Sequence, residues 1–71
     1  LAIHRQLAFC LRLKRLRERH GYSQFSLADK LGISQAAYSR LEKGEIDISL
    51  SRIFRLSDIY GVSVSKLLEN I

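Results

Sequence analysis

Hydrophobic positions recur every three or four residues along the chain, the spacing that puts side chains on one face of an α-helix. Phe9, Leu13, Leu16 and His20 share such a face and predict a first helix running to about His20. The same pattern predicts helices over residues 24–31, with Leu27, Ala28 and Leu31 inward, and 35–43, with Tyr38 and Leu41 inward. A fourth helix is expected over 50–60, with Leu50, Ile53, Leu56, Ser57 and Tyr60 inward, and a fifth over 64–69, anchored by Val64, Leu67 and Leu68. The punctuation agrees. Gly21, Gly32, Gly44 and Gly61 follow the first four runs, where a left-handed residue ends a helix. Ser23, Ser34, Ser49 and Ser63 precede the last four, where a hydroxyl caps free amides. Ile46 and Ile48 alternate with charged residues, but two alternations inside a loop do not make a strand. The pattern predicts an all-α chain folded as a compact five-helix bundle.

Composition narrows the class. With 71 residues the chain is one domain, 1–71, and its 46% apolar content excludes a disordered tail. The net charge of +5 is concentrated at one end: Arg5, Arg12, Lys14, Arg15, Arg17 and Arg19 stand against Glu18 alone. Residues 44–71 are balanced, with Arg52, Arg55 and Lys66 against Glu45, Asp47, Asp58 and Glu69. A basic surface suits a polyanion or an anionic membrane, although charge alone also fits a merely soluble basic domain. The membrane reading is weak, because the basic helix commits its apolar face to the core. Cys10 is the only cysteine, so no internal disulfide forms, and a reducing, cytoplasmic setting fits. His4, His20 and Cys10 are not spaced as ligands on one face, so no metal site is expected. The serines read as caps, without a histidine in a catalytic pattern, and there is no glycine-rich phosphate loop. The expectation is a protein that is not an enzyme, with no cofactor and no small-molecule ligand within this domain.

The informative stretch is residues 24–43, QFSLADKLGISQAAYSRLEK. Two short helices meet at a tight turn. Gly32 supplies its positive φ, and Ala28, four residues earlier, lets the helices cross closely. Burying Ile33, Tyr38 and Leu41 leaves Gln35, Ala36, Ser39, Arg40 and Lys43 on the outer face of the second helix. Glutamine pairs with adenine through two hydrogen bonds, arginine pairs likewise with guanine, and alanine touches a thymine methyl. A lysine at the helix end reaches phosphate. For an isolated helix this would be an ordinary solvated face; the paired helices, the glycine turn and the small alanine point to DNA.

Three ordered segments carry a resemblance over about residues 9–70: LKRLRERHGYSQFSLADKLGIS, QAAYSRLEKGE and ISLSRIFRLSDIYGVSVSKLL. They resemble the phage-repressor and Cro-like helix-turn-helix family, also called the xenobiotic-response-element family. The resemblance implies a lambda-repressor-like DNA-binding domain. It implies base-reading roles for Gln35, Ala36, Ser39 and Arg40, and DNA-backbone contacts for Lys14, Gln24, Ser34 and Lys43. It also implies a structural pair, Arg17 with Glu42, joining helix 1 to the reading helix. The residues alone say less: each follows an inward leucine, so both could flank one seam, or they could be unrelated exposed charges worth about 0–1 kcal/mol.

The function implied is a transcriptional regulator acting on operator DNA as a homodimer, with half-sites about 34 Å apart. A second reading is a protein-interaction or antitoxin-type module on the same fold, supported by the acidic loop and the apolar N-terminus. Three departures from the family stand out. Ile48 replaces a common proline, which loosens the loop before helix 4. Glu45 and Asp47 would repel DNA if they faced it. Ser57 replaces a core alanine, and its hydroxyl is expected to bond back to helix 4. Residues 1–8 lengthen helix 1 or precede it. Leu1, Ile3, Leu7, Cys10 and Leu11 together exceed what one core face needs, which leaves either core capping or contact with a second subunit. Helix 5 with Ile71 is another dimer candidate. Phe25 points away from the core, as a lone exposed aromatic or part of a protein contact.

Overall fold

The computed structural model describes the backbone of residues 2–71 and the side chains from His4 onward. Among these residues the elements are α1 (Ala2–Arg19), α2 (Gln24–Leu31), α3 (Gln35–Lys43), α4 (Leu50–Tyr60) and α5 (Val64–Leu67). No strand occurs among them. The N-terminal residues from Ala2 are continuous with α1 rather than preceding it. None of the helices is long and apolar enough to cross a membrane.

Local chemistry sets the helix ends. The hydroxyls of Ser23, Ser34, Ser49 and Ser63 each accept a hydrogen bond from the amide three residues on, at 3.0, 3.1, 3.2 and 3.0 Å. Gly32 closes α2 at φ 72°. Its amide donates to Asp29 O and the amide of Ile33 donates to Ala28 O, both at 3.0 Å, which satisfies two carbonyls the helix would leave bare. A β-carbon at Gly32 would meet nothing within 4 Å, so only the backbone conformation demands glycine there. Gly32→Ala is therefore expected to cost about 1–2 kcal/mol. Thermal denaturation should show a fall of several degrees, and an unchanged midpoint would mean that the turn tolerates a side chain.

The core draws one essentially inaccessible side chain from every helix: Leu13, Leu27, Tyr38, Leu56 and Leu67. Phe9, Cys10, Ala28, Leu41 and Tyr60 complete it, and Ile46 and Ile48 pack against it from the loop before α4. α3 packs on both α2 and α1, while α4 closes on α2 and α5 closes on α4.

Several positions differ from expectation. Leu50 is 64% exposed. At 100° per residue it lies about 90° around α4 from the face shared by Ile53, Leu56 and Tyr60, and Phe54 lies farther round and is exposed too. α5 stops short of Glu69, and Leu68 is exposed. The Arg12 guanidinium reaches across from α1 and donates to the carbonyls of Leu67 and Glu69, while Asn70 takes a left-handed conformation (φ 62°). Ser57 does not bond back into α4; its hydroxyl donates to Val62 O in the following turn. Cys10 does not belong to an apolar surplus, because it is buried and its Sγ donates to Leu41 O at 3.1 Å. Leu7 and Leu11 are exposed, as is Phe25. The Leu1 and Ile3 side chains lie outside the described residues.

Candidate nucleic-acid interface

The face of α3 follows from helical geometry. Taken at 100° per residue, Gln35, Ser39, Lys43, Ala36 and Arg40 occupy an arc of about 140°. Its centre lies opposite the direction of Tyr38 and Leu41, which are 0% and 2% exposed. Gln35, Ala36, Arg40 and Lys43 are exposed, and Ser39 is partly covered. Ser34 is exposed at the N-terminus of α3, where its oxygen caps Ala37 N–H. The same hydroxyl keeps its own proton to donate elsewhere.

Lys14 reaches the same region from α1. It lies one turn beyond Cys10, which is bonded to Leu41 O, and one turn before Arg17, which is bonded to Glu42, so it sits on the α3 side of α1. The ion pairs among the described residues join Arg17 to Glu42 and Lys66 to Glu69, which leaves Lys14, Arg40 and Lys43 outside any ion pair there. The acidic loop is exposed at Glu45 and Asp47. Asp47 Oδ1 accepts from Gln6 Nε2 at 3.2 Å, which ties the loop to the first turns of α1.

Behind α3 lies a polar cluster centred on Glu42. Arg17 Nε donates to Oε2 at 2.6 Å and Arg17 Nη2 to Oε1 at 3.2 Å, a two-pronged pair whose side chains are 11% and 4% exposed. Tyr38 Oη donates to Oε2 at 2.5 Å, and Gln24 Nε2 donates to Oε1 at 3.2 Å. Arg17 Nη1 also reaches Tyr22 O at 3.0 Å. One carboxylate thus links α1, α2 and α3. Burial pushes the Glu42 carboxyl up, but the bonds from Arg17, Tyr38 and Gln24 outweigh it and hold the group below its usual range. The bond to Glu42 raises Arg17. Burial, and then the bond to Glu42, push the Tyr38 phenol far above its ordinary value.

Gln24 is the site residue whose placement departs most from expectation. It is half-buried and its amide turns inward to Glu42, so it positions α3 rather than offering that donor to a phosphate. Tyr38, read from the sequence as packing alone, is also a donor to the same carboxylate. The signal was available, since Tyr38 and Glu42 are four residues apart on one helix.

Tyr60 supplies a contrast. Its hydroxyl is buried with no hydrogen-bond partner among the described residues, and burial pushes the phenol up to about 12. Its ring lies 4.8 Å from that of His20. The same substitution should therefore have opposite effects at the two tyrosines. Tyr38→Phe is expected to lower stability by about 1–2 kcal/mol, whereas Tyr60→Phe should raise it by up to about 1 kcal/mol. Urea denaturation of both variants checks this, and two losses of equal size would refute it.

A helix-turn-helix family model matches residues 13–67. A helix-turn-helix-type transcriptional regulator of Methanocaldococcus jannaschii is 36% identical over 56 residues, 79% of this chain and 85% of its own length. A regulator of the same type from the SPbeta prophage of Bacillus subtilis is 43% identical over 58 residues, 82% of this chain and 54% of its own. A transcriptional regulatory protein of this type from Pyrococcus abyssi is 42% identical over 55 residues, 78% of this chain but only 17% of its own length. The chain thus spans about half of the prophage relative and about a sixth of the Pyrococcus one. No solved structure matches the chain significantly.

Proposed function

Because the chain belongs to the Cro/C1-type helix-turn-helix family, we propose that it binds double-stranded DNA sequence-specifically and regulates transcription at an operator, with α3 in the major groove. The observation that carries this reading is the outer arc of α3. Gln35 and Arg40 stand exposed on the side of the helix opposite Tyr38 and Leu41, and Arg40 is outside any ion pair among the described residues.

Each side chain has a role in this reading. Gln35 and Arg40 supply paired donors and acceptors to purine edges, Ala36 offers a methyl to thymine, and Ser39 bonds a neighbouring edge. Ser34, Lys14 and Lys43 meet phosphates on either side of the groove and fix the register. The Glu42 cluster sets the angle at which α3 leaves the bundle. A homodimer is part of the proposal, since two copies related by a two-fold axis would present two reading helices to half-sites about 34 Å apart.

Selection of bound duplexes from a random pool tests the proposal. Enrichment of a palindrome with that half-site spacing is the expected result. A pool that stays random after repeated rounds at low salt would refute sequence-specific binding, and enrichment of an unpaired half-site would refute the dimer.

A further inference from the structure

α1 turns two different sides to the molecule. One meets α3, through Cys10, Lys14 and Arg17. The other carries Arg12, Arg15 and Arg19, about 165° away around the helix. That second side faces α5 and the residues that follow it, where Arg12 donates to the carbonyls of Leu67 and Glu69. Between α1 and α5 runs an open groove of about 510 Å³. Its floor is apolar, with Leu16, Val62 and Leu67, and Leu11 stands 46% exposed at its mouth. Its rim carries Arg12, Arg15, Arg19 and Lys66 against Glu69 alone. Lys66 pairs with Glu69 at 3.1 Å, and Arg12 is held by backbone carbonyls. Arg15 and Arg19 are exposed, with no ion pair among the described residues.

We infer that the groove between α1 and α5 is a docking site for an acidic, leucine-bearing helical segment of a partner protein. Charge complementarity selects the sign of the ligand, because the rim carries a positive excess that no neighbouring carboxylate neutralises. The floor selects its class. A nucleic acid would match the arginines with phosphates but would bring no aliphatic groups to cover Leu11, Leu16 and Val62. A helix with carboxylates along one edge and leucines along the other does both. The groove opens on the side of α1 turned away from α3, so its occupant and a duplex at α3 approach from different directions. The domain can then hold both at once.

The test uses a fluorescent amphipathic peptide with glutamates on one face and leucines on the other, alongside a glutamine–leucine and a glutamate–serine control. Fluorescence anisotropy with the wild-type chain should show the glutamate–leucine peptide binding about tenfold tighter than either control. Arg15→Glu combined with Arg19→Glu should weaken it about tenfold, while duplex affinity, measured at about 0.15 M salt so that charges more than about 8 Å from phosphate are screened, falls by no more than about threefold. Both residues are exposed, so folding should be retained; Leu11→Ser, at another exposed position, should weaken the same peptide independently. Equal binding by wild type and the charge-reversed variant would overturn the inference. So would a glutamate–serine peptide that binds as well as the leucine-bearing one, since the floor would then be idle. Phosphatidylglycerol vesicles that bind more tightly than the peptide would reassign the groove to a lipid surface, and a parallel loss of duplex affinity would reassign the arginines to the DNA footprint. Peptide binding is read without DNA, so a random pool that fails to enrich would leave it standing.

Discussion

Glu42→Ala should be the most destabilising single change among the polar residues, at about 3–5 kcal/mol. The size comes from what the carboxylate leaves behind. An arginine whose side chain is 11% exposed loses its one charged partner and both bonds to it, Tyr38 Oη loses its acceptor and Gln24 loses the group that turned it inward. A chain of this length has a total stability on the order of 4–10 kcal/mol, so the variant should lose roughly half of it and melt well below wild type. Thermal denaturation followed by circular dichroism measures it, and a midpoint within a degree or two of wild type would remove the cluster from the stability of the fold. Replacing both Arg17 and Glu42 by apolar residues of similar volume should recover much of the loss, because no buried charge is then stranded.

The pH dependence has a definite sign. The Glu42 carboxyl is held below its ordinary range in the folded chain. Its contribution is therefore complete above the unfolded value, near 4.3, and fades as acid titrates the folded group. Glu42→Gln should flatten the acid limb of the stability profile while leaving the neutral and alkaline side parallel to wild type.

Arg40→Ala should cost about 1–3 kcal/mol of DNA affinity, concentrated at one base pair of the preferred site. The exposed guanidinium, outside any ion pair among the described residues, can form two parallel bonds to a guanine edge, and alanine offers neither. Lys14→Ala should differ in kind. A phosphate contact carries no sequence information, so the loss should be uniform across duplexes and the slope of affinity against salt should drop by about one. Binding of both variants to the selected site and its single-base derivatives distinguishes the roles. An equal loss on every derivative for Arg40→Ala would place that arginine on phosphate instead.

The limits of the middle helices were legible because they are decided locally. A serine hydroxyl reaches an amide three residues on, and Gly32 turns the chain without help from elsewhere. The end of α5 was not legible for the opposite reason. What captures the carbonyls of Leu67 and Glu69 is Arg12, more than fifty residues away in sequence. Leu50 was misplaced because a leucine at the first turn of a helix satisfies the apolar spacing to Ile53 without sharing the face that α2 covers. In the site, the outward arc of α3 followed from period alone once Tyr38 and Leu41 were taken as core. The inward turn of Gln24 did not, since nothing local distinguishes an amide aimed at solvent from one aimed at a carboxylate on another helix.

The lone thiol makes α1 observable. Cys10 is 6% exposed, seated where α1 meets the end of α3, and burial raises its pKa. A disulfide reagent attacks thiolate that it can reach, so it must wait for the α1–α3 seam to part. The labelling rate at native pH thus becomes a clock for that one opening, and ligands that tighten either helix should slow it in proportion to their occupancy.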